Sequence, residues 1–308
     1  MRTIDLDSLE IFRAVVAEGG VIRAAGKLNR VQSNVTTRIR QLEERLGHKL
    51  FQRQGRSLEL APAGRRLLPY ADRLLRLADE AESELRSDLP LGTFRLGSLE
   101  STAGSRLPPL LSRFHKLFPG VVVELATGTT GALIGRVNAF EVEAAFISEP
   151  FAATGLETLP VFDETLVLIT ARGSAPVTRP ADLRGATLIA FAEGCSYRRL
   201  LEEWLGKSGV VAARSLEFSS YQAMIACVAA GTGFAIVPQS VLKALRATAG
   251  VQQHPLPERF RTSRTHLIWR GSPSVALTRL LEMLPVTRAG AAAANGMSRA
   301  RSAADRLR

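Results

Sequence analysis

Cysteine and histidine are scarce in this sequence, and neither occurs in a spacing that common chemistry requires. The chain has two cysteines, Cys195 and Cys227, which form no CxxC pair, and four histidines without HExxH or HxH spacing. Two isolated cysteines exclude a disulfide-stapled scaffold and fit a reducing compartment. The histidine spacing excludes the usual zinc motifs, so we predict no metal site.

Catalytic signatures are missing as well. No P-loop, GxSxG or protein-kinase motif occurs in the chain. The segment VAAGTGFAIVP, residues 228–238, comes nearest to a dinucleotide-binding pattern, but Ile236 stands where GxGxxG needs its third glycine. We therefore predict that the protein is not an enzyme and has no cofactor.

Long apolar runs are also absent. The longest uncharged stretch, residues 218–242, contains serine, glutamine, glycine and proline, which indicates buried core rather than a membrane span. The N-terminus, MRTIDLDSLE, has acidic residues where a signal peptide would be apolar. We predict a soluble, cytoplasmic protein without a membrane partner.

Positive charge, in contrast, is in excess. The net charge is +11 and the sequence pI is about 10.7. This balance favours a polyanionic partner such as nucleic acid. Arginine-rich composition is also common in proteins from GC-rich genomes, so charge alone indicates DNA binding only weakly.

Four segments can be distinguished, in a chain long enough for two or three domains. Residues 1–61 alternate helical patterns with a strand-turn-strand pattern. Residues 62–90 predict one long helix, with Pro69 as a candidate kink near its start. Residues 91–285 alternate apolar strand-like runs with helical patterns, which predicts an α/β domain. Residues 286–308 are rich in alanine and arginine and are predicted to be a disordered basic tail.

Three helical patterns open the chain. The first helix is predicted to begin around Asp7 and Glu10, which have capping-box spacing. The second, residues 21–28, carries the small pair Ala24-Ala25, which lets a neighbouring helix approach closely. The segment LFQRQGRSLEL then alternates around Gly55 and predicts a two-stranded wing.

The third helical pattern has one apolar stripe and a polar start. Its stripe follows steps of four, three and four residues through Val35, Ile39, Leu42 and Leu46. The first turns then present short hydrogen-bonding side chains and an arginine away from the core, namely Ser33, Asn34, Thr37 and Arg40. Such a helix start suits base edges and phosphates.

At these residues the chain closely resembles a known family. The run GGVIRAAGKLNRVQSNVTTRIRQLEERLGHKLFQRQGRSLELAPAG, residues 19–64, is similar to the DNA-binding domain of LysR-type transcriptional regulators. The matched positions include Arg23-Ala24-Ala25, the helix from Gln32 to Glu43, and Leu50-Phe51. A weaker resemblance extends to about residue 285.

The chain also departs from the family pattern. The family often has Ser-Gln-Pro where Val31-Gln32-Ser33 stands, and Ser-Arg where Thr36-Thr37 stands. Base preference therefore cannot be transferred from other members. The family's frequent threonine at the start of the long helix is Ala61 here, followed by Pro62, which suits a first helical position.

The resemblance implies a multidomain α and α/β architecture: an N-terminal winged helix-turn-helix, a long linker helix, and a C-terminal two-lobed α/β effector domain like a periplasmic binding protein. It implies a sequence-specific transcriptional regulator whose activity a small-molecule effector modulates. Of the implied DNA-facing residues, we expect Arg30, Arg53 and Arg56 to anchor phosphates. The predicted set is Arg30, Gln32, Ser33, Asn34, Thr36, Thr37, Arg38, Arg40, Arg53 and Arg56.

The long helix carries an a/d heptad seam, which predicts packing against a second helix. The seam comprises Leu67, Ala71, Leu74, Ala78, Ala81 and Leu85. The alternative is an amphipathic helix docked on its own chain. The resemblance implies that this helix is the interface of a homodimer or homotetramer, whose two-fold symmetry would match an interrupted inverted repeat in double-stranded DNA.

Polar side chains recur where strands hand over to helices in the α/β region, around residues 98–102, 127–130 and 195–198. Hydroxyls and one arginine would suit a small organic acid. The alternatives are that the hydroxyls only cap helices and that Arg198 pairs with Glu202. The predicted effector-binding set is Ser98, Glu100, Ser101, Thr102, Thr127, Thr129, Cys195, Ser196, Tyr197, Arg198, Ser220 and Gly231.

The resemblance also implies two lobes joined by two crossing strands, expected at residues 159–162 and 266–270. Lobe one would comprise residues 91–161 plus 268–285, and lobe two residues 162–267. Cys195 is expected at a helix start beside Arg198, and both features lower a thiol pKa. A redox switch is therefore one hypothesis, and a plain pocket-lining thiol is the other.

Overall fold

The computed structural model describes residues 4–54, 57–86 and 90–285. The chain divides into two compact units, Met1–Leu89 and Pro90–Arg308. Arg56 and the predicted basic tail, residues 286–308, lie outside the described residues. Among the residues that are described, no helix is both long and apolar enough to cross a membrane.

The first unit begins with three helices. They are α1 (Leu6–Ala17), α2 (Val21–Lys27) and α3 (Gln32–Leu46). The N-cap of α1 is Asp5, whose carboxylate accepts a hydrogen bond from the N–H of Ser8 at 2.7 Å. The expected capping role of Asp7 is therefore wrong, because Asp7 lies inside the first turn. Helix α3 ends at Leu46, and its C-cap, Gly47, has a φ of 69°, which favours glycine.

A two-stranded wing and a long helix complete this unit. Strands β1 (Phe51–Gln54) and β2 (Ser57–Leu60) pair in antiparallel register, and α4 spans Pro62–Arg86 with Pro69 inside it. Gly64 packs directly on the wing, since a Cβ there would lie 2.2 Å from the Leu50 carbonyl oxygen. The sequence APAG therefore requires glycine at this position.

The core of the first unit lies where the helices meet. Leu9, Phe12, Ala24 and Leu42 are fully buried in it. The start of α4 joins this core through Ala71, which has no exposed surface. The alanine side chain at position 24 allows the close helix approach that the sequence predicts, which fixes α3 in place.

The second unit is a two-lobed α/β domain. Its first lobe contains the elements β3 (Gly92–Ser98), α5 (Glu100–Ser105), α6 (Leu107–Leu117), β4 (Val121–Thr127), α7 (Thr130–Asn138), β5 (Ala144–Ser148) and α12 (Val275–Met283). The second lobe contains β7 (Thr187–Phe191), α8 (Ser196–Gly206), β8 (Arg214–Phe218), α9 (Tyr221–Ala229), β9 (Ala235–Pro238), α10 (Gln239–Ala244), β10 (Val251–Pro255), α11 (Glu258–Arg261) and a short 3₁₀ helix (Pro180–Leu183).

Two long strands run through both lobes. Strand β6 (Glu157–Ala171) pairs with β11 (Thr262–Trp269) through its first half and with β9 and β10 through its second half. The sheet order is β10-β6-β11-β5-β3-β4, with β9 also on β6, and β7 pairs with β8 in parallel. The expected crossing segments, 159–162 and 266–270, fall on these strands, although Arg270 lies one residue beyond β11.

Each lobe has its own core. In lobe one, β5 is buried on both faces: Phe146 packs with Phe94 and Phe114, whereas Ile147 packs on the opposite face with Leu133. Burial on both faces is typical of a strand beside parallel neighbours and explains the apolar run AAFI. Lobe two has a separate core between residues 166 and 260. The carboxyl ends of β3, β4 and β5 therefore open on one side of lobe one.

Candidate DNA-binding surface and effector cleft

Helix α3 presents the polar surface that the sequence predicts. Val35 and Leu42 are fully buried beneath it, and Ile39 is 9% exposed. Ser33, Asn34 and Thr37 are exposed on the other side of the same turns. The buried stripe fixes the orientation of α3 about its own axis, so these hydroxyl and amide groups face outward, where they could form hydrogen bonds with the edges of base pairs.

Two of the predicted arginines share an intramolecular carboxylate. Arg30 contacts the Asp7 carboxylate at 2.5 and 3.3 Å, and Arg38 lies 3.6 Å from the same carboxylate. These contacts tie the start of α3 and the preceding turn to α1. A phosphate contact by Arg30 would therefore compete with Asp7, a long-range partner that the sequence pattern does not reveal.

The remaining members of the DNA-facing set differ in how they are held. Arg40 is highly exposed and contacts Glu44 at 2.8 Å, one helical turn later. The hydroxyl of Thr36 donates to the backbone carbonyl of Gln32 at 3.0 Å, which is a local helix contact. Arg53 belongs to β1, but its side chain, like Arg56, lies outside the described residues.

Glu43 is a structural residue whose role the sequence analysis missed. It is 8% exposed, and its carboxylate accepts hydrogen bonds from the N–H groups of Leu50, at 2.8 Å, and Phe51, at 3.3 Å. Lys49 contacts the other carboxylate oxygen at 2.7 Å. Glu43 thus joins the recognition helix to the wing. An acidic residue four positions after buried Ile39 is the signal that could have revealed it.

We expect Glu43→Ala to lower the free energy of unfolding by about 2–4 kcal/mol, because it leaves two backbone N–H groups without their charged acceptor. Chemical unfolding followed by circular dichroism measures the change. Glu44→Ala is the matched control, since Glu44 is exposed and pairs only with exposed Arg40 among the contacts described for it. We expect that control to cost no more than about 0.5 kcal/mol. Equal effects of the two substitutions would contradict the role of Glu43.

A small cavity lies between the two lobes of the second unit. Its volume is about 20 Å³. Five of the predicted effector residues line it: Glu100, Ser101, Thr129, Cys195 and Tyr197. Five further residues line it that the sequence analysis did not select: Leu99, Gly128, Ser148, Phe191 and Tyr221.

Several predicted hydroxyls make structural hydrogen bonds. Ser98 donates to the Leu99 carbonyl at 2.9 Å, and Ser196 donates to the Ser148 carbonyl at 2.8 Å. Thr129 is the N-cap of α7. The capping alternative therefore describes Thr129, although its side chain also faces the cavity.

Arg198 adopts the pairing alternative. Its guanidinium contacts Glu202 at 2.8 Å and Glu217 at 2.5 Å, and it donates to the Phe191 carbonyl at 3.1 Å. Arg198 is not among the residues that line the cavity. A ligand carboxylate would have to displace two glutamates to reach it.

Ser98 and Ser196 do not line the cavity, and neither do four other predicted residues. Thr127 is exposed at the end of β4, and Thr102 is buried within α5. Ser220 is the N-cap of α9 beside Tyr221, which does line it. Gly231 follows the opposite end of α9, about 15 Å away along the helix axis, and its φ of 87° explains the glycine.

Burial governs the ionisation of the groups around the cavity. It raises the pKa of the Glu100 carboxyl, although the backbone N–H of Tyr221 donates to that carboxylate and opposes the shift. It raises the pKa of Tyr197 and Tyr221 well above the ordinary value, so both hydroxyls keep their protons. Burial also raises the pKa of the Cys195 thiol. A thiol held protonated is a poor peroxide sensor.

The heptad seam of α4 is divided between two environments. Ala71 is fully buried and Leu67 packs partly against the core of the first unit. Leu74 is 39% exposed, Ala81 is exposed, and Ala78 is intermediate; the side chain of Leu85 lies outside the described residues. The docked alternative therefore describes the start of the helix, and packing of its exposed part against a second helix stays a prediction. Tyr70 and Leu77 add large apolar surface to the exposed part.

No group of three or more histidine, cysteine, aspartate or glutamate side chains is placed to hold a metal ion in the part of the chain that the structure describes.

A winged helix-turn-helix, a long helix and a two-lobed α/β domain in this order define a ligand-responsive transcriptional regulator.

Comparison with known proteins identifies the family. Residues 6–65 match the model of the bacterial regulatory helix-turn-helix protein, lysR family, and residues 87–286 match the LysR substrate binding domain. HTH-type transcriptional regulator GltR of Bacillus subtilis is 34% identical over 87% of this chain and 90% of its own length. The uncharacterized regulator YusT of the same organism is 37% identical over 85% and 88%. The chain belongs to the LysR family of transcriptional regulators.

Solved structures share the fold. A full-length cysteine-to-aspartate variant of OxyR from Pseudomonas aeruginosa matches with a TM-score of 0.69 and 20% identity, over 92% of this chain and 94% of that chain. Full-length CbnR in complex with its target DNA matches with a TM-score of 0.67 and 25% identity, over 91% and 99%. These likenesses confirm the predicted order of a winged helix-turn-helix and a two-lobed effector domain.

Proposed function

We propose that this regulator reads its operator through the polar start of α3. Ser33, Asn34 and Thr37 would contact base edges, whereas Arg40 and the wing arginines Arg53 and Arg56 would contact phosphates. The observation that carries the proposal is the exposure of these α3 side chains directly above a buried apolar stripe. Gln32, Thr36 and Arg38 flank the surface, and Arg30 would reach phosphate by exchanging Asp7 for it.

The functional assembly is a homodimer or a pair of dimers. Tyr70, Leu74, Leu77 and Ala81 are exposed on α4 at steps of four, three and four residues. This spacing lets two copies of α4 pack side by side. Two recognition helices related by two-fold symmetry would then occupy half-sites of an interrupted inverted repeat, about 34 Å apart or a multiple of that distance.

A small-molecule effector occupies the cleft between the lobes. The cleft is supplied with polar groups by Glu100, Ser101, Thr129 and Tyr197. A conformation with the lobes closer together would bind an effector with a different affinity from a more open conformation. The cavity has room for a water-sized group, so a larger effector requires the lobes to separate. The lobe-one core includes Val161 and Leu267, whereas the lobe-two core lies between residues 166 and 260. We therefore place the lobe boundaries between residues 161 and 166 and between residues 260 and 267, which moves the second boundary ahead of the expected 267/268.

The boundaries between the domains are also part of the proposal. We propose a DNA-binding domain in residues 1–61, a linker helix in 62–90 and an effector domain in 91–285. The protein acts in the cytoplasm, because a bacterial-type regulator of this family must reach chromosomal DNA.

Selection of genomic fragments by the purified full-length chain tests the proposal. We expect the selected fragment to bind at least about a thousandfold more tightly than random duplex at physiological salt. Affinity should fall by orders of magnitude between about 50 and about 200 mM salt if six or more phosphates are contacted. Equal affinity for every duplex would instead describe an architectural protein and would overturn the proposal.

A further inference from the structure

Among the described residues, the small cavity between the lobes is lined by one carboxylate and by no basic side chain. Among the residues that line the cavity, Glu100 is the acidic one, and lysine, arginine and histidine are absent. Glu100 is half-buried rather than solvated. A second carboxylate brought into this space would meet like charge at short range and in a poorly screening environment.

The two arginines of α8, the helix whose start borders the cavity, are engaged in other contacts. Arg198 is held by the carboxylates of Glu202 and Glu217. Arg199 is exposed and donates to the Pro150 carbonyl. The described side chains of the cleft therefore offer an incoming anion no free guanidinium.

Helix N-termini also border the cleft, and by themselves they favour anions. Glu100 already places a carboxylate at one of them, near the backbone N–H of Tyr221 at the start of α9, which counteracts the burial-raised pKa of that carboxyl. At the start of α7, the Thr129 side chain accepts the N–H of Ala132 at 3.4 Å. These internal acceptors reduce the need for an external anion.

Two further observations indicate the chemistry of the occupant. Tyr197 is 3% exposed and lines the cavity, and its hydroxyl lies near the side chains of Ser101 and Ser148 without a hydrogen bond of good geometry among the described residues. Phe191 and Tyr221 lie beside it with ring centroids 4.8 Å apart. A carboxylate, aromatic rings and a phenol oxygen that can accept a hydrogen bond together form a site for a cation with several N–H donors.

We propose that the effector of this protein carries a primary ammonium group, which enters the cleft against Glu100. The cavity volume of about 20 Å³ matches a group the size of water, and a protonated primary amine has that size. Its three N–H donors would serve the Glu100 carboxylate, the Tyr197 hydroxyl and a neighbouring oxygen. The inference rests on the proposed function, because it names the chemistry of an effector in the cleft, and it replaces the organic acid that the sequence suggested.

The test compares probes that share one carbon skeleton. Thermal melting of the full-length chain is recorded with butylamine, butyrate and butanamide, and with benzylamine and benzoate, at constant ionic strength. We expect the amines to raise the melting temperature in a saturable way, and the acids and the amide to have no such effect. A saturable response to the acids, or none to the amines, overturns the proposal.

Glu100→Gln separates a specific site from general cation binding. We expect it to raise the half-saturating amine concentration at least about tenfold, because a charge-assisted hydrogen bond becomes neutral. Glu157→Gln is the matched control: Glu157 is exposed on β6 and does not line the cavity, so its amine response should equal that of the wild type. An equal response of Glu100→Gln and Glu157→Gln overturns the proposal.

The same preparations are assayed for binding to the selected operator fragment. A wild-type chain that binds the fragment but ignores the amines refutes the ammonium proposal and leaves the proposed function intact. A wild-type chain that binds no fragment specifically refutes the proposed function itself. If Glu100→Gln does not fold, the comparison of amines with acids on the wild-type chain still decides the question.

Discussion

Thr37→Glu is expected to weaken operator binding by at least about a hundredfold while the protein remains folded. Thr37 is exposed on α3, two residues after fully buried Val35, so a longer side chain there meets no core. A carboxylate at this position would point at a groove between two lines of phosphates and would remove a group that can bond to base edges. Quantitative gel-shift titration of the full-length chain measures the loss.

Two further variants distinguish recognition from general charge. Ala17→Glu adds the same charge at an exposed position of α1, outside the DNA-facing set, and should change affinity by only a few fold. Thr37→Ser keeps the hydroxyl and should retain most of the affinity. If Thr37→Glu and Ala17→Glu had the same effect, α3 would not be the reading helix and the proposed docking would be wrong.

The rotation of α3 could be predicted from the sequence because it depends on a local pattern. Val35, Ile39 and Leu42 share one face of any helix, and that face is buried in the structure. The N-cap of α1 was placed two residues too late, at Asp7 rather than Asp5. Both aspartates fit a helix start, and only the backbone geometry separates them.

The partners of charged side chains could not be predicted in the same way. The contact between Arg30 and Asp7 joins residues 23 positions apart, and that between Arg198 and Glu217 joins residues 19 apart. The i,i+4 pair of Arg198 and Glu202 is local and was recognised as an alternative. Long-range pairs depend on how elements pack, which a single sequence specifies only indirectly.

The sequence predicts the cleft at the ends of strands that are followed by helices, and this rule identifies half of the residues that line the cavity. It placed Glu100, Ser101 and Thr129 correctly beside the cavity because they follow β3 and β4. The same rule applied to β5 and β7 would have selected Ser148 and Phe191, the last residues of those strands. The apolar sequences of these two strands instead indicate buried core. The organic-acid expectation depended on a free Arg198: its pairing with Glu202 is visible in the sequence as a local alternative, whereas its contact with distant Glu217 is not.

The largest effect on assembly is expected from Leu74→Asp. Leu74 is 39% exposed and stands in the stripe formed with Tyr70, Leu77 and Ala81, whereas buried Ala71 packs within its own unit. A surface of this size and spacing on a soluble helix indicates a partner helix. An aspartate in the middle of two packed copies would bury an unpaired charge twice. We therefore expect sedimentation velocity to change from dimers or tetramers to smaller species.

Leu245→Asp is the matched control for this change. Leu245 is 44% exposed in the second unit, so the same substitution there should leave the oligomer intact. The melting temperature of Leu74→Asp also separates assembly from folding, because Leu74 is not part of the described core of its unit. Operator affinity should fall together with dimerisation, since one recognition helix reaches only one half-site. If the Leu74→Asp protein sediments like the wild type, the interface between copies does not include this stripe, and the exposure of its leucines has no explanation in the proposed assembly.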